Sequence, residues 1–472
     1  MRRTKIVCTI GPASLSLQVL ESLAKSGMNI VRLNGSHADL EWHKKAIDLI
    51  HEILPNMPIL LDIPGRKIRT TQLRNEPKFK TGQTLILTTD LSHDGNEKVP
   101  INYPDLHLDL TVGDKVMADD GALRFTVAQI IGSDIYVIAE NDGQLRSSKG
   151  INIPFVKLNT PQVTERDKSM VDFACENNVD FIGISFVESA KHLSAFREII
   201  GRRSLRLVAK VENQGGLDNV EEVVCAADAI MIDRGDLSVE TSLYDIAIKQ
   251  KRIINVARTK GKPVIVATEM LHTMINNSFP TKSEVVDISN AVLDGCSATM
   301  LSGETAIGEF PIEAVITMRK VIEATESHET AGLPNKSLED SGDVPDAISR
   351  VIPLLCNTLP ITKVVAITRS GYAANIIARA NLKQPIIAVS DDYMAAKSFN
   401  LIAGTAGVYS KVPFSKITSD HIFEIVKKLY LDSILNSSDT IIVAGISYPT
   451  PGSRMNTIQI YNIALLAKEF SW

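Results

Sequence analysis

The chain has 472 residues, 44% of them apolar, a mean hydropathy of +0.06, a formal net charge of −5 and a pI near 6.0. That length exceeds one ordinary core and predicts about two to four domains. The acidic balance excludes a nucleic-acid scaffold and leaves basic side chains to be placed singly, around small anions.

The N-terminal stretch has basic residues at Arg2 and Arg3, but its apolar run is broken by Thr9 and then Gly11-Pro12. That is too short for a secretory h-region, and no run approaches a membrane span. No membrane partner is expected. The five cysteines (Cys8, Cys175, Cys225, Cys296, Cys356) are scattered and form no CxxC pair. They suit free thiols and a cytoplasmic location.

Residues 4–34 alternate strand, helix, strand: 5–10 is apolar and β-branched, 15–26 has helical spacing, and 30–33 is a second strand. A third strand is expected over 58–62. The pattern then changes. From about 71 to 158, turns at Asp94-Gly95, Asp120-Gly121 and Asp142-Gly143 separate alternating segments such as 84–88 and 134–139. This predicts an inserted all-β module, a β-barrel over 71–158.

The βα alternation resumes at Thr164, a candidate N-cap for a helix over 167–176. Strands are predicted over 181–185, 205–211, 229–232, 263–267 and 298–301, with helices between. Some eight βα units predict an α/β fold, a (β/α)8 barrel of the TIM type, built from 1–70 and 159–330. A polar linker is expected around 327–346. A separate α/β domain follows over 331–472, with strands over 363–367, 386–389, 408–410, 440–444 and near 458–461.

In such a barrel, chemistry sits at the C-terminal ends of the strands. Those ends carry Arg32, Asn34, Asp62, Lys210, Glu212, Asp236, Thr268 and Ser302. The most telling is Ala-Lys-Val-Glu-Asn at 209–213. Lys210 and Glu212 stand two residues apart, so both side chains leave the same face of a strand. A cation and a carboxylate placed so can hold a phosphoryl group beside its metal ion. The plain alternative is a Lys–Glu pair on an edge strand. Taken alone, Asp236 reads equally as a helix N-cap, and Thr268 as an ordinary strand former.

Six blocks in order resemble the pyruvate kinase family across essentially the whole chain. They are Thr4-Lys5-Ile6-Val7-Cys8-Thr9-Ile10-Gly11-Pro12-Ala13-Ser14; Gly27-Met28-Asn29-Ile30-Val31-Arg32-Leu33-Asn34 with Ser36-His37; Lys210-Val211-Glu212-Asn213; Arg234-Gly235-Asp236-Leu237; Ala267-Thr268-Glu269-Met270-Leu271; and Met300-Leu301-Ser302-Gly303-Glu304-Thr305. The resemblance implies a catalytic barrel, a lid domain, an effector-binding C-terminal domain and a homotetramer. It also implies phosphoryl transfer from phosphoenolpyruvate to ADP, giving pyruvate and ATP.

By the same resemblance, Lys210 stabilises the transferring phosphoryl group, with Arg32 and Arg69 as planar forks for phosphate oxygens. Glu212 and Asp236 are the ligands of Mg²⁺ or Mn²⁺. Gly235, Asp236 and Thr268 meet the substrate, and Ser302 stands near the path of a proton to the enolate. Pro12, His37 and Trp42 border the adenine, and Lys149 approaches the nucleotide phosphates. Trp42 can equally be a packed helix aromatic. Lys157 and the other lid lysines are expected to be solvated. Thr368, Arg369, Ser370 and Gly371 precede a helix over 373–380 and suit a phosphorylated sugar or nucleotide effector, helped by the loop 449–454. An ordinary serine N-cap is the other reading there.

The chain departs from the family around its third strand. It reads Asp62-Ile63-Pro64-Gly65-Arg66-Lys67-Ile68-Arg69 where potassium-dependent members have Asp-Thr-Lys-Gly-Pro-Glu-Ile-Arg. Asn34, Ser36 and Asp62 keep a monovalent-cation site, but Lys67 supplies a tethered positive charge that would replace K⁺. The alternative is a solvated Lys67 with K⁺ still bound. Gly35, Asp233, Ser238 and Glu269 stand where the family has Phe, Ala, Gly and Gln. Asp233 and Glu269 add negative charge near an anionic substrate. They leave open a divergent paralogue acting as a metabolite sensor or on another enolpyruvate. A pyruvate-metal barrel lyase is a third reading, though it would not need Lys210, Arg32, Arg69 and an inserted lid together.

Overall fold

The computed structural model describes residues 2–119, 121–156, 158–159, 161–328, 343–415, 417–446 and 454–472. Eight parallel strands close into a barrel in chain order: Lys5–Thr9, Ile30–Asn34, Ile59–Ile63, Phe181–Ile184, Arg206–Val211, Ala229–Asp233, Val264–Ala267 and Ala298–Leu301. Closure is made by Lys5 pairing with Ala298 and Val7 with Ile30. These runs are apolar on both faces because helices cover the outside and side chains fill the inside. The inner fill is Val7, Ile30, Leu60, Phe181, Val208, Ala229, Met231, Ile265, Ala267, Ala298 and Met300, together with Leu401.

Period two then decides what stands at the mouth. Continuing the inward rows Val7, Ile30, Leu60, Val208 and Met231 by two residues gives Thr9, Arg32, Asp62, Lys210 and Asp233. All five are buried.

Thr164 is the N-cap that the sequence suggested, in a capping box with Asp167, and its helix runs Glu165–Glu176. The insertion after Ile63 is a sheet ordered Ile151–Asn152, Lys115–Ala118, Leu123–Ile131, Asp134–Ala139, Thr84–Thr88, Val99–Pro100, beside a ribbon of Lys78–Phe79 with Gly143–Gln144. The two ends of this order are joined through 69–70: Arg69 bridges to Gly150, beside Ile151–Asn152, and Thr70 bridges to Ile101, beside Val99–Pro100, while a short helix Leu106–Asp109 lies between strands.

The C-terminal sheet is ordered Thr405–Tyr409, Ile386–Ser390, Lys363–Ile367, Thr440–Gly445, Thr457–Asn462, the last strand antiparallel. The strand expected over 408–410 begins earlier. Gly404 and Gly407 look like turn residues, but a Cβ on Gly407 would stand 1.8 Å from the Ala396 carbonyl oxygen, so this strand requires glycine for close approach. The expected linker is shorter than 327–346: helices run to His328 and restart at Val344, and 329–342 lies outside the described residues.

Nor is the C-terminal unit packed separately. Its Leu401 fills the floor of the barrel. Lys5 Nζ donates to the Thr405 carbonyl at 2.6 Å, and Asp180, entering the fourth strand, pairs with Lys397 at 3.1 Å.

Candidate active site

Lys210 lies at the centre of the mouth. Its Nζ is 3.0 Å from Glu212 Oε2, 3.2 Å from Asp233 Oδ2 and 3.5 Å from Asp62 Oδ2, and it donates to Ser185 Oγ at 3.2 Å. Burial alone would depress its pKa, but Asp62, Glu212 and Asp233 reverse the effect and hold it well above the usual lysine range. It is a fixed ammonium. Beside it, Arg32 Nη2 reaches Asp62 Oδ2 at 2.6 Å, and its Nη1 donates to Thr9 Oγ1 at 3.1 Å. Asp62 can seat there because its neighbour is Gly183, where a Cβ would stand 2.7 Å from Oδ1.

Glu212 is fully buried. Its Oε1 accepts from the Phe186 N–H at 2.7 Å, and its Oε2 accepts no hydrogen bond. Burial, with the Asp236 and Asp233 charges added and Lys210 opposing, pushes its pKa up to about 8. Asp233 goes the other way: burial is outweighed by Lys210, Lys67 and Arg32, which together lower its pKa. Ligand oxygens of Glu212, Asp233 and Asp236 lie within 4.8 Å of one another.

The backbone is strained around this cluster. Phe186, Thr268 and Glu269 have φ of 54°, 65° and 54°, left-handed values that non-glycine residues rarely adopt. The turn at Thr268 lets its Oγ1 accept from the Gly235 N–H at 2.9 Å while donating to the Ala267 carbonyl at 2.7 Å. Ser302 follows the last barrel strand, and its buried Oγ has no hydrogen-bond partner. Glu304, which the sequence reading did not single out, holds that turn by accepting from the Ser302 and Leu271 N–H groups at 2.7 and 3.0 Å.

Lys67 is not solvated; its side chain turns into the mouth. Its Nζ sits 2.6 and 2.9 Å from the two Asp236 oxygens and 5.9 Å from the Phe186 ring centroid. The Asp236 charges outweigh burial and raise its pKa. The reason is geometric: Arg32 and Lys210 already occupy Asp62, while Asp236 forms no other ion pair among the described residues. Asn34 Oδ1 accepts from the Ser36 N–H at 3.1 Å. Gly35, in place of a family Phe, leaves room for Met170: a Cβ there would lie 2.3 Å from Met170 Cε.

The outer residues are less tightly gathered. Pro12 and His37 are exposed at the rim. Trp42 is half-buried, packed on one side against the barrel's outer core and edge-on to His43, centroids 5.2 Å apart. Arg69 donates to the Ser148 carbonyl at 3.0 Å, and Lys149 pairs with Asp119 at 2.6 Å. In the C-terminal unit, Thr368 Oγ1 accepts from the Gly371 N–H at 3.1 Å and Ser370 Oγ from the Tyr372 N–H at 3.3 Å. Arg369 is tied to Asp391 and to the Phe414 carbonyl, each at 2.8 Å. The helix runs Tyr372–Ala378, not 373–380. Much of the expected phosphate-binding capacity is thus spent on the turn itself. Arg454 lies over Tyr372, 5.5 Å from the ring centroid, while Lys157 and 449–453 lie outside the described residues.

Residues 1–315 match the family model of the pyruvate kinase barrel domain, and 346–461 match that of the pyruvate kinase alpha/beta domain. A pyruvate kinase of Clostridium perfringens is 36% identical over 95% of this chain and 97% of its own length. One of Geobacillus stearothermophilus is also 36% identical, over 99% of this chain and 81% of its own length. One of Borreliella burgdorferi is 34% identical over 93% of each.

Proposed function

The chain belongs to the pyruvate kinase family, and from that premise we propose that its barrel mouth passes the phosphoryl group of phosphoenolpyruvate to ADP, giving pyruvate and ATP. The observation that carries this reading is Lys210, a buried ammonium ringed by carboxylates at the end of a barrel strand.

Phosphoryl transfer asks for charge neutralisation and positioning more than for covalent chemistry. Lys210 and Arg32 would face the phosphoryl oxygens as charge spreads over them. The Gly235 N–H and the Thr268 hydroxyl, which bond each other at 2.9 Å, would exchange that bond for the substrate carboxylate. Ser302 Oγ, buried without a partner, would hold a water that delivers a proton to the enolate. A serine has no basicity of its own, so relay is its part.

Residues at this mouth fit a divalent cation. Glu212, Asp233 and Asp236 offer hard oxygens close together, and Glu212 is fully buried with its Oε2 facing the mouth beside Lys210. Glu212 and Asp236 would hold Mg²⁺ or Mn²⁺, which would supply charge neutralisation for the phosphoryl group.

The nucleotide side is assigned to Pro12, His37 and Trp42 at the adenine and to Arg69 and Lys149 at the phosphates; Lys149 would have to leave Asp119. Potassium is not required in this reading, because Lys67 brings a tethered positive charge into the site. A phosphorylated sugar or nucleotide at 368–371 would have to draw Arg369 from Asp391. A homotetramer and a cytoplasmic location complete the proposal. No helix among the described residues is long and apolar enough to cross a membrane.

The test is a lactate-dehydrogenase-coupled assay with phosphoenolpyruvate, ADP and Mg²⁺. Pyruvate formation that depends on all three supports the reading; none at any concentration overturns it.

A further inference from the structure

We propose that Asp233 is a direct carboxylate ligand of the divalent cation in this chain, beside Glu212, and that it is needed because Lys67 holds Asp236. The inference rests on the phosphoryl-transfer reading above and adds a residue to it.

Asp233 ends the strand Ala229–Asp233, on the inward row of Ala229 and Met231, so its carboxylate projects into the mouth. It is 6% exposed. Its ligand oxygen lies within 4.8 Å of those of Glu212 and Asp236. Asp236 is the compromised member of the three. Both of its oxygens are within 2.9 Å of the Lys67 ammonium, and Asn152 Nδ2 is 3.5 Å from one of them. A cation that relied on Asp236 would share it with a charge of its own sign. Asp233 and Glu212 feel Lys67 only as a more distant charge and converge from neighbouring strands; the ammonium in contact with them is Lys210, at 3.2 and 3.0 Å.

Asp233 adds a carboxylate to a mouth where Glu212 already faces Lys210 and Asp236 already faces Lys67. Buried carboxylates are stable only when paired or ligating, and the affinity of an oxygen site rises with its charged ligands. Glu212 Oε2, wholly buried, has the Lys210 ammonium as a close polar neighbour, at 3.0 Å, and is a second candidate ligand atom in the same cluster.

The experiment measures Mn²⁺ binding to the full chain without substrate, by the EPR signal of free Mn²⁺. Asp233→Asn should weaken binding about tenfold or more. In a Lys67→Met background, which releases Asp236, the same change should cost less than about threefold. Asp233→Cys separates ligation from simple loss of charge. It should bind Cd²⁺ with a thiolate-to-metal ultraviolet band absent from the parent protein, while losing Mn²⁺. Asp233→Asn binding Mn²⁺ within twofold of the parent, or Asp233→Cys lacking the new band, overturns the proposal. Equal losses in both backgrounds overturn the part given to Lys67. Should Asp233→Asn not fold, Asp233→Cys decides alone. Because no turnover is read, these failures leave the phosphoryl-transfer reading standing; that reading falls only in the coupled assay.

Discussion

Lys67 Nζ lies 2.6 and 2.9 Å from the two carboxylate oxygens of Asp236, so one tethered ammonium is seated on a carboxylate assigned to a metal ion. A lysine in that position supplies charge without the entropy cost of recruiting a free ion.

Substantial pyruvate formation is therefore expected in buffer free of both K⁺ and Na⁺, with little gain on adding K⁺. Lys67→Glu should lower that basal rate on the order of tenfold or more and create K⁺ dependence. Steady-state rates across a K⁺ titration check this; a parent enzyme silent until K⁺ is added would contradict it.

Lys210→Met should cost on the order of a thousand-fold or more in kcat, about 4 kcal/mol, with substrate binding changed far less. The ammonium faces Asp62, Glu212 and Asp233, so methionine also leaves three carboxylates without their shared cation. Near-parental kcat in this variant would remove Lys210 from the reaction.

At the barrel floor, the Asp180–Lys397 pair is buried on both sides, and Asp180 Oδ2 also accepts from the Ile59 N–H at 2.8 Å. Lys397→Met leaves the carboxylate unpaired and should destabilise by about 3–5 kcal/mol. Asp180→Asn with Lys397→Met should recover most of that loss. Urea unfolding of the four combinations measures the coupling, and additive losses would show that the pair carries none.

Lys5 should make stability pH-dependent. Burial lowers its pKa from 10.5 to about 7. Between those values the unfolded chain binds the proton and the folded one does not, so stability contributed by this site rises with pH from about 7 towards 10.5. Below pH 7 the floor must hold a charged ammonium. Lys5→Met removes the titration, and the parent should gain on the variant by on the order of a few kcal/mol across that range. Parallel melting curves at pH 7 and pH 10 would refute it.

The barrel was legible in the sequence because a parallel strand is buried on both faces and reads as an apolar run, and eight such runs alternated with helical spacing. Thr164 was legible because an N-cap with an acid three residues on satisfies backbone N–H groups locally. Arg32, Asp62, Lys210 and Glu212 were legible as polar endings to apolar runs. Asp233 could have been read the same way: two residues past Met231 on one strand face, it falls on the inward row. The expected strand stopped at 232, one residue short.

Other features are not written in any local stretch. That Lys67 chooses Asp236, 169 residues away, depends on which carboxylates Arg32 and Lys210 already occupy. The strand Thr405–Tyr409 exists because Gly407 lets a neighbouring backbone approach, a demand made by Ala396 and not by propensity. Leu401 enters the barrel floor, and Lys397 finds Asp180, only because the C-terminal sheet docks there. Periodicity records which face of an element is buried. Which charges meet once the faces are packed is decided by the tertiary fold, where each buried ion takes the partner still open to it.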